Sequence, residues 1–271
     1  MSNLKEIESQ LLGTGDLRQN IVRSLGSSTV AILALYGNSV QFIGSGSLVF
    51  VTDSHYILTA AHVWDRLQST PTLGITVTDN INHKFQIPVP AIFPTVFQPD
   101  ALAWNEWGPD LALLRIPPEL VGGIQAFQGF EHILAPPKPF GKVGETWVAM
   151  GVPEELAKLT QTHAELQISG RFVAPNPHTH GQHDYFDFEV DSSSPEMPTT
   201  WGGMSGGGLW KVWLYHSPED GEINWYSRLM GVIYWEFPIK NGYRILRAHG
   251  HQSIAAIAQS VPPLFVTKRL E

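Results

Sequence analysis

The feature that most limits how this chain can fold is a succession of short segments rich in β-branched and aromatic residues. Turn-forming pairs such as Gly37-Asn38 and Asp53-Ser54 separate them, and the chain contains 25 Gly and 20 Pro. This pattern predicts many short strands rather than long helices. The segments fall into two groups, at residues 28–36, 41–51, 56–60, 74–78 and 84–89, and at residues 146–150, 165–172, 185–190, 205–212 and 228–235.

Each group has enough strands for a closed barrel, so we expect an all-β protein with two β-barrels. The N-terminal barrel would span residues 27–135, and the C-terminal barrel with its terminal helix would span residues 136–271. The proline-rich residues 135–141 would join them. Apolar residues at helical spacing predict a helical N-terminal extension over residues 1–26 and a C-terminal helix over Ser253–Gln259.

The composition excludes several classes of protein. With 43% hydrophobic and 15% charged residues, the chain is globular rather than disordered. It has no cysteine, which excludes a disulfide framework, a Cys-ligated zinc site and a thiol nucleophile. A net charge of −8 with scattered Lys and Arg argues against nucleic-acid binding. The N-terminus does not resemble a secretory signal, and no apolar window approaches the roughly 18 residues of a membrane-spanning helix, so we expect a cytoplasmic protein.

Three segments hold the side chains best suited to catalysis. The first, Ile57-Leu-Thr-Ala-Ala-His62, is a strand that runs into a turn ending on histidine. The second, Gly108-Pro-Asp110-Leu-Ala-Leu-Leu114, places an aspartate before an apolar strand, and the third, Gly202-Gly-Met-Ser205-Gly-Gly-Gly-Leu209, embeds a serine in glycines. Each segment alone is a weak signal, because a histidine, an aspartate or a serine in such a setting is usually structural.

Together the three segments meet the requirements of a hydroxyl nucleophile. A serine hydroxyl needs an imidazole to take its proton, and the imidazole needs a buried carboxylate to fix its tautomer. The glycines suit an oxyanion hole, because glycine allows the positive φ that aims backbone N–H groups inward. We therefore predict His62, Asp110 and Ser205 as catalytic residues and the N–H groups of Gly203 and Ser205 as oxyanion donors.

At these positions the sequence resembles the chymotrypsin-like serine peptidases of trypsin fold. Thr59-Ala-Ala-His62 matches the family's histidine motif, Asp110-Leu-Ala-Leu its aspartate motif, and Gly203-Met-Ser205-Gly-Gly its serine motif at all but one position. The order His, Asp, Ser and the separations of 48 and 95 residues are also similar to the family's.

The resemblance extends over about residues 28–260 and implies two six-stranded antiparallel barrels with the active site in the cleft between them. It implies an endopeptidase that acts on protein or peptide substrates without a cofactor. His62 would be the general base, Asp110 its orienter and Ser205 the nucleophile.

The serine motif departs from the family at Met204. Secreted members carry an aspartate there, which pairs with a new N-terminus released by cleavage and so orders the oxyanion loop. Met204 cannot form that ion pair, so the resemblance implies the cysteine-free intracellular and bacterial branch, without this zymogen activation. The sequence leaves open whether the loop is ordered constitutively or by a regulatory protein partner.

The resemblance also assigns four substrate-binding residues, Thr199, Tyr234, Trp235 and Glu236. Thr199 stands where a preference for Lys or Arg usually requires aspartate, so cleavage after basic residues is not implied. Glu236 stands where relatives often have glycine. Its carboxylate would narrow the pocket, attract a basic side chain or simply be solvated at a strand end. Tyr234 replaces a serine that contacts the buried aspartate in many relatives.

Two alternative functions stay open. Gly203-Met-Ser205-Gly-Gly207 also fits the Gly-x-Ser-x-Gly turn of α/β-hydrolase esterases, whose acid and histidine would then be Asp220 and either His249 or His251. That fold requires strands that alternate with amphipathic helices, of which the sequence shows almost none. The other alternative is a catalytically silent module of trypsin fold that binds a peptide or a partner without cutting it.

A histidine-rich stretch holds the candidate metal ligands His178, His180 and His183. Three imidazoles at this density can bind Zn²⁺ or Ni²⁺. We favour a flexible polar loop for this stretch and also for His249 and His251, so no metal site is predicted.

Overall fold

The computed structural model describes residues 15–76, 84–98, 106–135, 142–159, 164–191, 198, 200–217, 219–240 and 242–262. Its helices are α1 (Gly15–Gly26), α2 (Ala61–Leu67), α3 (Pro118–Gln125) and α4 (His251–Gln259), with 3₁₀ turns at Val89–Ala91 and Glu154–Leu156. Its strands are β1 (Thr29–Tyr36), β2 (Ser39–Val51), β3 (Ser54–Thr59), β4 (Thr72–Thr76), β5 (Lys84–Pro88), β6 (Phe93–Phe97), β7 (Leu111–Arg115), β8 (Glu131–His132), β9 (Lys142–Gly151), β10 (Ala157–Leu159), β11 (Ala164–Leu166), β12 (Ser169–Val173), β13 (Asn176–His180), β14 (His183–Asp191), β15 (Gly208–His216), β16 (Ile223–Glu236) and β17 (Tyr243–Gly250). No helix within these ranges is both long and apolar enough to cross a membrane.

Two large sheets dominate the described part of the chain. The first is an eight-stranded sheet in the order β5-β4-β1-β2-β3-β7-β6, with β8 paired in parallel to β2. The second is a seven-stranded antiparallel sheet in the order β12-β9-β15-β16-β17-β14-β13. One of the large sheets curls into a half-barrel. A separate hairpin joins β10 and β11.

The β-rich architecture is as predicted, but the number of strands differs. The sheets hold eight and seven strands rather than six each. Among the described residues no ladder joins the first strand of either sheet to its last, so the two closed barrels are not found there. Strand β6 escapes the sequence pattern because Pro94 interrupts it, and β13 because Asn, Pro and His make up most of it. The division into domains at residues 135 and 136 stays a prediction.

Helices are more frequent than the sequence pattern predicts. Helix α1 lies in the predicted N-terminal extension, whose residues 1–14 are outside the described ranges. Helix α4 is the predicted C-terminal helix and begins two residues earlier, at His251. Helix α2 is only seven residues long, and α3 contains Gly122 and Gly123, which weaken a helix. Their sequence signals are therefore low, and tertiary contacts decide their conformation.

An apolar core lies between the two large sheets. Alternate residues of the first sheet face it, such as Leu58 and Leu113, and Trp210 faces it from the second sheet. Residues of α1 and α4 complete this core: Ile21, Leu25, Ile254 and Ile257. On the opposite face of β3 and β7, Ile57 and Ala112 pack in a second core within the first half of the chain. Burial on both faces fixes the register of β3 and β7.

The α/β-hydrolase alternative is wrong. That fold requires a mostly parallel sheet covered by helices on both faces. Here β15, the strand that follows Ser205, pairs antiparallel with both of its neighbours, β9 and β16. The proposed acid Asp220 lies in an exposed turn, and His249 bonds to Asp110 instead.

Helix α3 offers a matched pair of substitutions that tests its packing. We expect Gly122→Ala to raise the free energy of unfolding by about 0.5–1 kcal/mol, because alanine favours a helix. A Cβ there would meet nothing within 4 Å. We expect Gly123→Ala to lower it, because the new Cβ would lie 2.7 Å from Cε1 of Phe85. Urea denaturation measures both values, and equal effects would contradict the contact between α3 and β5.

Candidate active site

His62 and Asp110 form a hydrogen-bonded pair beside two neighbouring strands. His62 Nδ1 lies 2.6 Å from Asp110 Oδ2, and the backbone N–H of His62 donates to Asp110 Oδ1 over 3.0 Å. His62 is the second residue of α2, shortly after β3, and Asp110 directly precedes β7. Strands β3 and β7 pair with Thr59 opposite Ala112. This pairing brings the two predicted residues together.

The pair is buried at its carboxylate and open at its imidazole. The side chain of Asp110 is 2% exposed, whereas that of His62 is 33% exposed. Because the carboxylate accepts a hydrogen bond from Nδ1, that nitrogen carries a proton and Nε2 is left as the basic nitrogen. Burial, reinforced by the negative charge of Asp110, raises the pKa of the nearby Asp65 carboxyl.

A third residue, His249, holds the backbone of Asp110. Its buried Nε2 accepts a hydrogen bond from the Asp110 N–H over 3.0 Å, and its ring stacks on Tyr234 with centroids 4.2 Å apart. Burial, with smaller contributions from the charges of His183 and Arg247, lowers the pKa of His249 to about 3. His249 is therefore neutral near pH 7.

The sequence-based expectation of a flexible loop at His249 is wrong. His249 lies within β17, where it is paired with Val232 of β16. Its neighbour His251 begins α4 and lies 3.0 Å from the guanidinium of Arg228. Both histidines are thus parts of regular, packed structure.

Ser205 lies in a loop that Ser45 of β2 fastens to the first sheet. The Ser45 N–H donates to the Ser205 carbonyl over 2.8 Å, and Ser45 Oγ donates to the Gly203 carbonyl over 2.7 Å. The same Oγ accepts from the Val152 N–H over 2.8 Å, and Thr59 Oγ1 donates to the Ser45 carbonyl over 2.7 Å. Because Thr59 ends β3, these bonds connect the serine loop to the strand that leads to His62.

Gly206 allows the close contact between the serine loop and β3. Its φ is +87°, and a Cβ at this position would lie 2.0 Å from both Ser45 O and Thr59 Oγ1. A larger residue would therefore push the loop away from the first sheet. The Gly206 N–H donates to the Ile233 carbonyl over 2.7 Å, which fixes the other side of the loop on β16.

The predicted oxyanion donors occupy the turn just before Gly206. Gly203 has a φ of +86°, the left-handed conformation expected of an inward-facing turn. Among the residues that the structure describes, neither Gly203 nor Ser205 donates its backbone N–H to an acceptor, whereas the N–H of Met204 between them donates to the Trp201 carbonyl over 3.1 Å. No acceptor among the described residues therefore competes for either predicted donor.

Met204 anchors this turn in the second sheet. Its side chain is 1% exposed and packs in an apolar cluster with Trp201 and Ala149. Its Sδ lies close to Gly151, and a Cβ added at Gly151 would be only 2.8 Å from this sulfur. The Glu154 N–H adds a hydrogen bond of 2.6 Å to the Gly202 carbonyl. Apolar packing and backbone hydrogen bonds thus order the turn without an ion pair at position 204.

Tyr234 supports Asp110 indirectly, because it packs on His249, which bonds to the Asp110 backbone. Its ring is buried against His249, and its hydroxyl donates to the Glu106 carbonyl over 2.5 Å. Burial raises the pKa of the Tyr234 hydroxyl. Trp235 is partly buried against the core of the first half of the chain. Thr199, which is also predicted to bind substrate, lies outside the described residues.

Glu236 is neither a solvated strand-end carboxylate nor an unpaired charge. Its Oε1 lies 2.7 Å from Nη1 of Arg244, and both carboxylate oxygens accept from the backbone N–H of Trp201 over 3.2 Å. Arg244 compensates the charge of Glu236. The hydrogen bonds from Trp201 connect β16 to the residue that begins the serine loop.

The histidines at 178, 180 and 183 lie on a β-hairpin, so the predicted flexible loop is wrong here as well. His178 and His180 belong to β13 and His183 begins β14. His180 stacks on Trp107 at 4.2 Å and His178 on Tyr185 at 5.6 Å between ring centroids. In the described part of the chain, which includes all three, no group of three or more His, Asp or Glu side chains is arranged to hold a metal.

The sequence motifs do not identify Ser45 and His249 as parts of the site. A signal for Ser45 exists in Gly44-Ser-Gly-Ser-Leu48, because glycines within a strand indicate close backbone approach. A Cβ at Gly44 would indeed lie 3.0 Å from the Ser205 carbonyl oxygen. His249 gives no such signal, since a single histidine in a strand is compatible with many roles.

Comparisons with known proteins add little to this description. No protein-family model matches the chain, and no curated protein matches it significantly. One solved structure, from a study titled "Aromatic interactions drive the coupled folding and binding of the intrinsically disordered Sesbania mosaic virus VPg protein", matches over 88% of this chain and 91% of its own. It has 14% sequence identity and a TM-score of 0.47, a likeness that supports no inference about fold or function.

Removing the Ser45 hydroxyl tests whether it fastens the serine loop. We expect Ser45→Ala to lower the free energy of unfolding by about 1–3 kcal/mol, because the buried Val152 N–H loses its acceptor. Urea denaturation gives the value. The exposed Ser260→Ala is a matched control and should change stability by no more than about 0.5 kcal/mol. Equal losses in the two variants would contradict the role of Ser45.

Burial of neutral His249 makes stability depend on pH. Its folded pKa of about 3 lies below the unfolded value of 6.5, so the unfolded chain binds the proton first as the pH falls. Its contribution to the free energy of unfolding is complete above pH 6.5. That contribution is lost between pH 6.5 and 3, at up to about 1.4 kcal/mol per pH unit. We expect His249→Leu to flatten the decrease in unfolding free energy over this range, measured by denaturation at several pH values. Parallel curves for the two proteins would refute the assignment.

Proposed function

We propose that this chain is a serine endopeptidase that hydrolyses peptide bonds with Ser205, His62 and Asp110. The observation that carries the proposal is the 2.6 Å hydrogen bond between His62 Nδ1 and the buried Asp110 carboxylate. A carboxylate on Nδ1 fixes the tautomer in which Nε2 is basic, as a hydroxyl nucleophile requires. The serine loop is fastened to the strand that leads to this histidine, which supports Ser205 as the nucleophile.

In the proposed reaction, Ser205 Oγ bonds to the substrate carbonyl carbon while its proton passes to His62 Nε2. The carbonyl oxygen becomes an oxyanion and accepts hydrogen bonds from the N–H groups of Gly203 and Ser205. The bond to the leaving nitrogen then breaks, and that nitrogen takes the proton from Nε2. Water repeats the sequence on the acyl-enzyme, which releases the acid and restores the serine hydroxyl. Asp110 stabilises the imidazolium formed in both halves of the reaction.

The packing of Met204 supports activity without a cleavage that creates a new N-terminus. Ion pairing is one way to order an oxyanion turn, and burial of an apolar side chain is another. Met204 is buried in the second sheet, and the adjacent Gly203 carbonyl is held by Ser45 Oγ. We therefore propose a loop that is ordered in the chain as synthesised, with no requirement for a partner.

The environment of Glu236 supports a preference for uncharged residues before the cleaved bond. Its carboxylate is compensated by Arg244 at 2.7 Å, so a basic substrate side chain would gain little from it. The proposed substrate is an extended segment of a protein or peptide, and no cofactor is needed for the steps above.

The proposal is tested by labelling with a fluorophosphonate together with a substrate-profiling digest. We expect the wild-type chain to be labelled and to cleave peptides. Ser205→Ala should lose labelling and at least about 10³-fold of activity, because the nucleophile is gone. Asp110→Asn should retain the fold and lose about 10⁴-fold of activity, because it favours the wrong histidine tautomer. The digest also identifies the residue before each cut.

The exposed Ser260→Ala serves as the matched control and should keep both labelling and cleavage. Equal labelling of the Ser205→Ala and wild-type chains would refute Ser205 as the nucleophile. A folded wild-type chain that binds peptides but is neither labelled nor active would favour the silent binding module instead.

A further inference from the structure

Residues 106–110, which we call the Asp110 segment, are bound at both ends by side chains of the second sheet. The two carbonyls at its start, those of Glu106 and Trp107, accept hydrogen bonds from that sheet. At its end the Asp110 N–H donates to His249 of β17. The chain then continues directly into β7 of the first sheet. The Asp110 segment therefore connects the carboxylate of the proposed triad to the sheet on which the serine loop is also fixed.

Arg247 of β17 binds the start of the Asp110 segment. Its Nη1 donates to the Glu106 carbonyl over 3.0 Å, and its guanidinium carbon lies 4.1 Å from the centroid of the Trp107 ring. The side chain of Arg247 is only 6% exposed. A guanidinium is planar and carries five N–H donors in a fixed arrangement, so it can donate hydrogen bonds and stack at the same time. Arg247 therefore holds the backbone and the ring of the segment together.

Asp187 of β14 fixes the guanidinium of Arg247 in this orientation. Nε of Arg247 donates to Asp187 Oδ1 over 2.7 Å, and Nη2 donates to Oδ2 over 2.8 Å, which makes the pair bidentate. The two residues are directly opposite each other in the ladder of β14 and β17, so their side chains share one face of the sheet. Burial opposes the charged form of Arg247, but the hydrogen bonds and the charge of Asp187 outweigh it and raise the pKa of Arg247. The guanidinium is therefore charged, compensated and held in place.

Two buried tyrosines donate to the same two carbonyls. The hydroxyl of Tyr234 donates to the Glu106 carbonyl over 2.5 Å, and that of Tyr185 donates to the Trp107 carbonyl. Both tyrosine rings pack on His249, with centroids 4.2 and 5.2 Å from that of the imidazole. The side chains that bind the two ends of the Asp110 segment are thus packed against each other.

We propose that Arg247 is a positioning residue that holds Asp110 in the geometry in which it orients His62. The Asp110 carboxylate fixes His62 through two hydrogen bonds, so a shift of the Asp110 backbone moves the imidazole as well. Among the described residues no hydrogen bond joins Arg247 to either of them, so it acts through the Asp110 segment. The inference rests on the proposed function, because orientation of the imidazole affects a rate only if Nε2 takes a proton.

Arg247→Lys tests the proposal, because lysine keeps the charge that Asp187 requires but loses the planar fork. It can no longer bond to both oxygens of Asp187 and stack on Trp107 at once. The matched control is Arg228→Lys on β16, since the Arg228 guanidinium also donates to a backbone carbonyl, that of Ile133, outside the Asp110 segment. Thermal unfolding of both full-length variants verifies that they fold, and all other measurements are made below both midpoints.

The first measurement is the proton NMR signal of the His62 Nδ1–H in the full-length chain labelled with ¹⁵N-histidine. Its absence from the spectrum of His62→Gln assigns the signal. We expect it in the wild type and in Arg228→Lys, where the carboxylate still accepts this proton. In Arg247→Lys we expect the signal to broaden or disappear, because the Asp110 carboxylate is no longer held. This measurement requires no hydrolysis, so it tests the position of the pair by itself.

The second measurement is the rate of peptide cleavage. We expect Arg247→Lys to lower kcat about tenfold and to change KM by less than about twofold, because the orientation of His62 matters in the transition state rather than in substrate binding. Arg228→Lys should keep both constants. Tyr185→Phe removes only the hydroxyl that donates to the Trp107 carbonyl and should lower kcat about threefold. It replaces Arg247→Lys in both measurements if the lysine variant does not fold.

An Nδ1–H signal that is unchanged in Arg247→Lys and in Tyr185→Phe would overturn the proposal. A wild-type kcat in both variants, or equal losses of kcat in Arg247→Lys and Arg228→Lys, would overturn it as well. If the wild type cleaves no peptide but the signal still depends on Arg247, the proposed hydrolysis is refuted and the role of Arg247 in holding Asp110 is supported.

Discussion

The arrangement of the site depends on the hydrogen bonds of Ser45. Its N–H, hydroxyl and carbonyl bond to Ser205, Gly203, Val152 and Thr59, which belong to both halves of the chain. A serine can do this because one small hydroxyl donates and accepts at once while adding little bulk. Gly206 then packs directly on the same two groups, at a distance that excludes a side chain. The position of the serine loop relative to the strand that leads to His62 is thus set by backbone contacts, which are less free to move than long side chains.

The remaining supports of the site are mostly apolar or neutral. Met204 fixes the turn before Ser205 by burial, and the neutral His249 fixes the Asp110 backbone while stacking on Tyr234. Packed supports hold these residues without an ion pair at position 204, but His249 places a titratable ring in the core. Below about pH 6 that ring carries a cost that an apolar residue would avoid. In exchange, its Nε2 gives the buried Asp110 N–H an acceptor that no apolar side chain could provide.

The sequence predicts those features that short segments determine by themselves. Short runs of β-branched, aromatic and other apolar residues place β1, β2, β3 and β7 within a few residues of their observed bounds, because burial of one or both faces dominates their energetics. The pairing of His62 with Asp110 follows from two motifs next to such strands, so it too could be predicted. The catalytic role of Ser205 stays a prediction, as does the contribution of Gly203 to an oxyanion hole.

What the sequence does not reveal depends on residues far apart in the chain. His249 contacts Asp110 across 139 residues and Ser45 contacts Gly203 across 158 residues, and no local pattern encodes either contact. The same holds for Glu236, whose carboxylate would attract a basic substrate if it were free. Its charge is instead compensated by Arg244 and fixed by the Trp201 N–H, so identity and position in a motif do not determine its electrostatic role. A carboxylate affects specificity only through the charge that its neighbours leave uncompensated, and that quantity is a property of the folded chain.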